Sequence, residues 1–185
     1  MKIKPEEIKL IVLTHGHWDH IGSAKDVKEA TGARIALQEN EKEWLEKSLK
    51  PQPPGVTPWG KIFINILKMF LPLVHIRPAK VDEVLTDRDF SLEGYGIPGK
   101  VVYTPGHSSG SVSVLLETGD VFVADLAMNK FPLRVSPGLP IFAEDWDKVI
   151  ESWKMLLDRG AKTVCPGHGE PFAIEFIRKE LPSTA

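Results

Sequence analysis

Apolar and polar positions alternate between two rhythms along this chain. Residues 10–14 (Leu-Ile-Val-Leu-Thr) form a short continuous apolar run, the signature of a buried strand. Residues 22–30 then follow helical spacing until Gly32 stops them. A brief strand is predicted over 34–37. Asn40 is placed to head the next helix, with Glu43 three residues on as in a capping box. That helix carries Trp44, Leu45 and Leu49 on one side and ends by Pro51. A proline-rich break over 51–60 leads into 61–74, rich in Ile, Leu, Phe and Met. This segment is short for a membrane span and contains Lys61, Asn65 and Lys68. It reads as an amphipathic helix, either a core or dimer contact or an apolar lid over a substrate pocket, with docking on a membrane surface ranking last. From 81 onward the rhythm shortens to strands over 81–85, 90–92, 100–103, 111–117 and 121–124, with Gly119-Asp120 as a hairpin turn. Residues 126–143 contain Pro132, Pro137, Gly138 and Pro140 and read as a long functional loop. Asp145 caps a helix whose Trp146, Val149, Ile150, Trp153, Leu156 and Leu157 form one apolar face, closed by Gly160. A strand over 163–165 and a helix over 173–181 complete the chain. Interleaved strands and helices make the class α/β or α+β, with helices packed on sheets.

Composition narrows the picture little. The 185 residues suit one domain with a sizeable core, in which about 50–78 forms a lid or contact insertion. A 42% hydrophobic and 26% charged composition is that of an ordinary globular protein. The formal net charge of -2 gives no basis for a nucleic-acid surface. The one cysteine, Cys165, rules out a disulfide within the chain, reads as a buried structural thiol, and suits a reducing cytoplasm. The first residues have no apolar signal core.

The candidate chemistry begins where the first strand ends. His15, His17, Asp19 and His20 fall within six consecutive positions, and imidazole with carboxylate suits zinc, iron or manganese. Gly16 allows a sharp change of direction there. Two further histidines sit in nearly identical settings, Thr104-Pro105-Gly106-His107 and Cys165-Pro166-Gly167-His168. Each follows a β-like run and a Pro-Gly turn that holds an imidazole at a strand end. Asp125 closes the apolar run 121–124 and matches this pattern of strand ends supplying ligands. His75, beside an apolar run, reads as structural.

Taken together, Thr14-His15-Gly16-His17-Trp18-Asp19-His20, Pro105-Gly106-His107-Ser108-Ser109-Gly110-Ser111, Gly119-Asp120 through Asp125, and Pro166-Gly167-His168-Gly169 resemble the metallo-β-lactamase superfamily in order and spacing. The resemblance implies an αββα sandwich with a dinuclear site at the sheet edges. It assigns His15, His17 and His107 to one divalent ion, and Asp19, His20 and His168 to a second, with Asp125 bridging. Zinc is the default and manganese or iron(II) the alternatives. Such a pair holds a hydroxide at neutral pH, since metal binding lowers the pKa of water from 15.7 to about 7 in favourable zinc sites. Asp19 would orient that nucleophile or pass a proton to the leaving atom. The implied activity is hydrolysis of a small ester, thioester, lactone or phosphoester, with Lys130 and Arg134 placed to hold an anionic part of the substrate.

The chain also departs from the superfamily pattern. Members normally carry several strands before the first motif, whereas about nine residues precede it here. The expectation is an N-terminally truncated domain whose first strand presents an open edge, or one covered by a second copy in a homodimer. His17 stands where flavodiiron proteins resemble one another in having glutamate, which argues against a diiron reductase. Asp125 stands where antibiotic-cleaving lactamases often use cysteine. The chain ends too early for the usual glutathione-binding helices of glyoxalase II. Two rivals remain: a mononuclear iron oxygenase acting on sulfur compounds through the three-histidine group alone, and a truncated domain that only binds or assembles.

Overall fold

The computed structural model describes residues 3–182. Two sheets lie face to face with helices on their outer sides. Strand β1 (Leu10–Val12) pairs in parallel with β2 (Arg34–Gln38), which pairs in parallel with β3 (Glu83–Leu85). The second sheet runs in the order β4 (Phe90–Ser91), β5 (Gly99–Tyr103), β6 (Val112–Leu116), β7 (Asp120–Asn129), β8 (Thr163–Gly169) and β9 (Phe172–Ala173). Strand alternation sorts the side chains. On β2, Ala36 points to the inter-sheet layer with Leu85, Val101 and Val112. Its neighbours Ile35 and Leu37 point outward into a layer with Ile21, Ala24 and Leu45, which come from α1 (Trp18–Ile21), α2 (Ala24–Thr31) and α3 (Lys42–Glu46). On β5, Val101 faces inward and Val102 outward, toward α5 (Trp146–Asp158) and α6 (Glu175–Glu180). The face of α5 predicted from spacing is buried through Val149, Ile150, Trp153 and Leu156, but Trp146, at the first position of the helix, is exposed and Leu157 is only partly buried. Asp145 caps it by accepting from Lys148 N.

Several elements differ from expectation for identifiable reasons. Asn40 does not cap α3. Its own N–H is taken by the Gln38 side chain, its amide donates to Ser109 O, and a 3-10 turn over Glu39–Glu41 precedes the helix. Leu49 is exposed rather than on a buried face. The predicted loop over 126–143 begins later, because β7 continues to Asn129 alongside β8. The helix predicted over 61–74 starts earlier, as α4 (Pro58–Phe70), with Thr57 capping Gly60 N and proline in the first turn where its missing N–H costs nothing. Cys165 is half-buried rather than enclosed. No helix among the described residues is long and apolar enough to cross a membrane.

Strand β1 pairs on one side only among the described residues. Phe122 is the register partner of Val114, which packs in the inter-sheet layer, so Phe122 lies on the inner face of its sheet; it is nevertheless 45% exposed. The smaller sheet therefore leaves part of the larger one uncovered.

Candidate metal centre

The first motif leaves β1 at the junction of the two sheets. Leu13 N donates to Ala36 O, and Thr14 O accepts from Val112 N at 2.8 Å, so the chain is tied to both sheets just before His15. His17 O then accepts from His20 N and Ile21 N, closing the single turn of α1 that presents Asp19 and His20. The loop carrying His107 turns at Gly106, whose φ of 135° and whose approach to Val149 N leave no room for a Cβ. Asp125 sits at a break in pairing between β7 and β8, where the register shifts on either side of Ala124. Ala124 itself has φ of 44°, a left-handed conformation uncommon for a residue with a Cβ. This bulge re-aims the strand and turns the Asp125 carboxylate toward the histidines. His168 lies opposite Met128 on β8.

Seven side chains from these four segments meet in two groups. His15, His17 and His107 form one, Asp19, His20, Asp125 and His168 the other; within each, one ligand atom per residue lies within 4.8 Å of all the rest. Asp125 joins them. Its Oδ1 is 3.2 Å from His20 Nε2 and 3.5 Å from His168 Nε2, while its Oδ2 is 3.7 Å from His107 Nε2. Asp19 Oδ2 lies 3.2 Å from His168 Nε2. The first group is fully buried, and the second opens toward solvent through Asp19, whose side chain is 28% exposed.

Tautomers follow from the outer hydrogen bonds. His107 Nδ1 donates to Phe142 O at 2.9 Å, which leaves Nε2 as the lone-pair nitrogen facing His17 Nδ1, 3.0 Å away. Thr14 Oγ1 lies 3.3 Å from His15 Nδ1 and contacts that ring on its outer side. Burial, and then the neighbouring imidazoles, hold His15 well below its usual range. The same causes push His17 down to about 3. Burial also lowers His107. All three are neutral donors at pH 7. Burial raises Asp125, but His20, His107 and His15 outweigh it and hold the carboxyl well below its ordinary value. Burial raises Asp19 as well and is outweighed by His168 and His20. His168 is raised, first by its bond to Asp19. His20 is raised too, because Asp125 and Asp19 outweigh its burial.

This His and Asp donor set fits divalent metal. Buried His15 Nε2 and His17 Nε2 have no hydrogen-bond partner, and unsatisfied buried polar atoms call for an explanation such as an ion. A cavity of about 300 Å³ stands over the centre, with His17, Asp19, Asp125 and His168 on its floor. Phe63, Ile64 and Leu67 of α4 make one wall, and Met128, Phe131 and Phe142 another. Lys130 lines the mouth and is exposed. Arg134, expected beside it, is turned elsewhere: its guanidinium pairs with Glu180 and donates to Ser136 O and Leu139 O, bracing its own loop. Sequence reasoning missed Glu41, a fully buried carboxylate beside the first group. A glutamate amid Glu39, Glu43 and Glu46 reads as one more solvated charge, and only the burial of its own side chain, with Glu39 and Asn40 of the same turn exposed, distinguishes it.

The profile of the Metallo-beta-lactamase superfamily matches residues 1–168. The chain is 29% identical over 179 residues to the metallo-beta-lactamase fold-containing protein ST1585 of Sulfurisphaera tokodaii, covering 95% of this chain and 66% of that one. It is 28% identical over 137 residues to the hydroxyacylglutathione hydrolase GloC of Haemophilus influenzae, covering 68% of this chain and 55% of that protein. It thus spans about half to two thirds of the length of these relatives. Among solved structures, ST1585 from Sulfolobus tokodaii superposes with a TM-score of 0.66 at 22% identity over 94% of this chain and 66% of that one. TTHA1623 in a di-iron-bound form gives 0.61 at 22% identity over 95% and 77%. Helix–sheet–sheet–helix layering, four ligand-bearing segments at one end of the sheets and a profile match over most of the length agree: this chain belongs to the metallo-β-lactamase superfamily.

Proposed function

We propose that the protein is a dinuclear metallohydrolase of a small ester, thioester or lactone whose acyl part is apolar. The observation that carries this reading is the bridging position of Asp125, with one oxygen toward each ligand group. His15, His17 and His107 would hold one cation, and Asp19, His20 and His168 the other. Two such cations polarise a carbonyl or phosphoryl oxygen and acidify a water, so no serine or cysteine nucleophile is required. Asp19 is the carboxylate nearest the open side, where it orients the attacking water and carries a proton to the leaving atom. The aromatic and aliphatic walls bury an acyl chain and exclude water, with α4 as the lid, and Lys130 meets an anionic group at the mouth. Phosphoesters fit less well, since Arg134, the second cation expected for them, is occupied by Glu180. The relative named as a hydroxyacylglutathione hydrolase supports the thioester branch.

The rival oxygenase uses only the three-histidine group. The second group, fully assembled here, favours two metals over one. The test is a panel of aliphatic esters, thioesters, lactones and phosphodiesters assayed with metal-depleted protein and after adding zinc, manganese or iron(II). Hydrolysis that appears only on reloading, and rises with acyl length, is expected. Oxygen consumption with a thiol substrate and iron alone would contradict it.

A further inference from the structure

Three of the histidines come from two loops joined through backbone at one end, where Thr14 O accepts from Val112 N at 2.8 Å. His15 and His17 flank Gly16, and His107 opens the run Ser108-Ser109-Gly110. What lies between these loops is the side chain of Glu41, fully buried and contributed by a third segment at the start of α3. Its Oε2 accepts from Gly16 N, and its Oε1 accepts from Gly110 N at 2.7 Å. One carboxylate thus spends one oxygen on each loop. Charge-assisted bonds of this kind are short and directional, and they set the distance between the groups they join.

The two glycines give an independent sign of the same contact. A Cβ on Gly110 would stand 2.7 Å from Glu41 Cγ and 2.9 Å from its Oε1. A Cβ on Gly16 would stand 2.9 Å from Trp44 Cε3 and 3.2 Å from Glu41 Oε2. Gly16 has no left-handed φ. The sequence-based reading of Gly16 as a turn residue is therefore replaced by a packing reason: each loop is bare where the carboxylate seats. Trp44, three residues on and so on the same side of the helix, stacks on the His17 ring at 5.7 Å between centroids and 18° between planes.

We propose that Glu41 is a positioning residue, a two-sided clamp that holds the His15–His17 loop and the His107 loop at the separation the three-histidine group needs to bind its cation. Glu41 touches neither that cation nor the substrate. The inference rests on the metal reading above and extends it to a residue outside the ligand set. Outer contacts that orient metal ligands typically change affinity by about 10- to 100-fold when removed.

Glu41→Gln keeps the shape of the side chain but replaces one acceptor oxygen with an NH₂ that faces a backbone N–H, so one of the two bonds is lost. Gly110→Ala disturbs the same contact from the other side. Zinc affinity of each group is read by competition with a chromophoric chelator, alongside the thermal midpoint of the metal-free protein. The clamp predicts that both variants weaken one of the two bound ions at least tenfold and leave the other unchanged. Combining them adds little beyond the worse single change. If Glu41→Gln does not fold, Gly110→Ala alone reads the same split. Unchanged affinities in a folded variant would overturn the clamp, as would equal weakening of both ions in step with a lowered midpoint. Failure of the unaltered protein to bind two ions would overturn the metal reading, and the clamp with it.

Discussion

His17 is protonated in the folded protein only near pH 3, against an ordinary value of 6.5. Below pH 6.5 the unfolded chain takes up a proton there that the folded chain refuses, so stability falls as pH drops from 6.5 toward 3. His15 and His107 act in the same direction. Asp125, held low, adds stability that is present above its ordinary value and lost as pH falls through its folded one. His20 and His168 oppose this. Their raised values contribute stability that is complete below 6.5 and lost as pH rises through their folded values. Between pH 7 and 4.5, a window above the ordinary value of Asp125, three lowered histidines outweigh two raised ones, so the denaturant midpoint of metal-free protein is expected to be lower at pH 4.5 than at pH 7. A midpoint that rises toward acid would contradict the burial assigned to these rings. At this scale the sequence was generous for candidate ligands and silent for Glu41. His15 to His20 crowd into six positions and announce themselves, whereas Glu41 looks like any charge on a helix until its side chain is seen to be buried beside exposed neighbours.

The elements that carry the ligands have an irregularity no periodicity reveals. A search for apolar runs ends β7 at Ala124, because Asp125 interrupts it; the strand in fact bends at that bulge and continues to Asn129. The break and the ligand are one feature, since a regular strand would alternate Asp125 with its neighbours rather than turn it to the centre. Helix α4 was legible as amphipathic but not in its orientation. Ile64 is buried, Phe63 and Leu67 are partly buried beside Met128 and Phe142, and Ile62, Ile66 and Met69 are exposed. Phe63 lies over the cavity with its ring 6.2 Å from that of Phe142. Phe63→Ala is expected to raise KM for long-chain esters by about tenfold, the loss of part of one aromatic contact, with kcat and metal content little changed. Equal effects on acetyl and long-chain substrates would show that α4 does not line the acyl site.

For the molecule as a whole, the layered α/β class was readable from the alternating runs, whereas the expectation that every motif closes a strand holds for His15–His20 and His107 but not for Asp125, inside β7, or His168, inside β8. What the sequence left open is the outer side of β1. That edge is unpaired among the described residues, and Phe122 is exposed beyond it. We propose that a second copy covers this region in a homodimer, giving twice 20.6 kDa in light scattering; a monodisperse 20.6 kDa species would contradict it.

The centre itself is tested most directly by counting metal. Elemental analysis of the purified protein, reloaded and desalted, is expected to give two divalent ions per chain, and His17→Ala to lose one of them along with hydrolysis. One ion or none in the unaltered protein, or the same count in His17→Ala, would contradict the two-group arrangement.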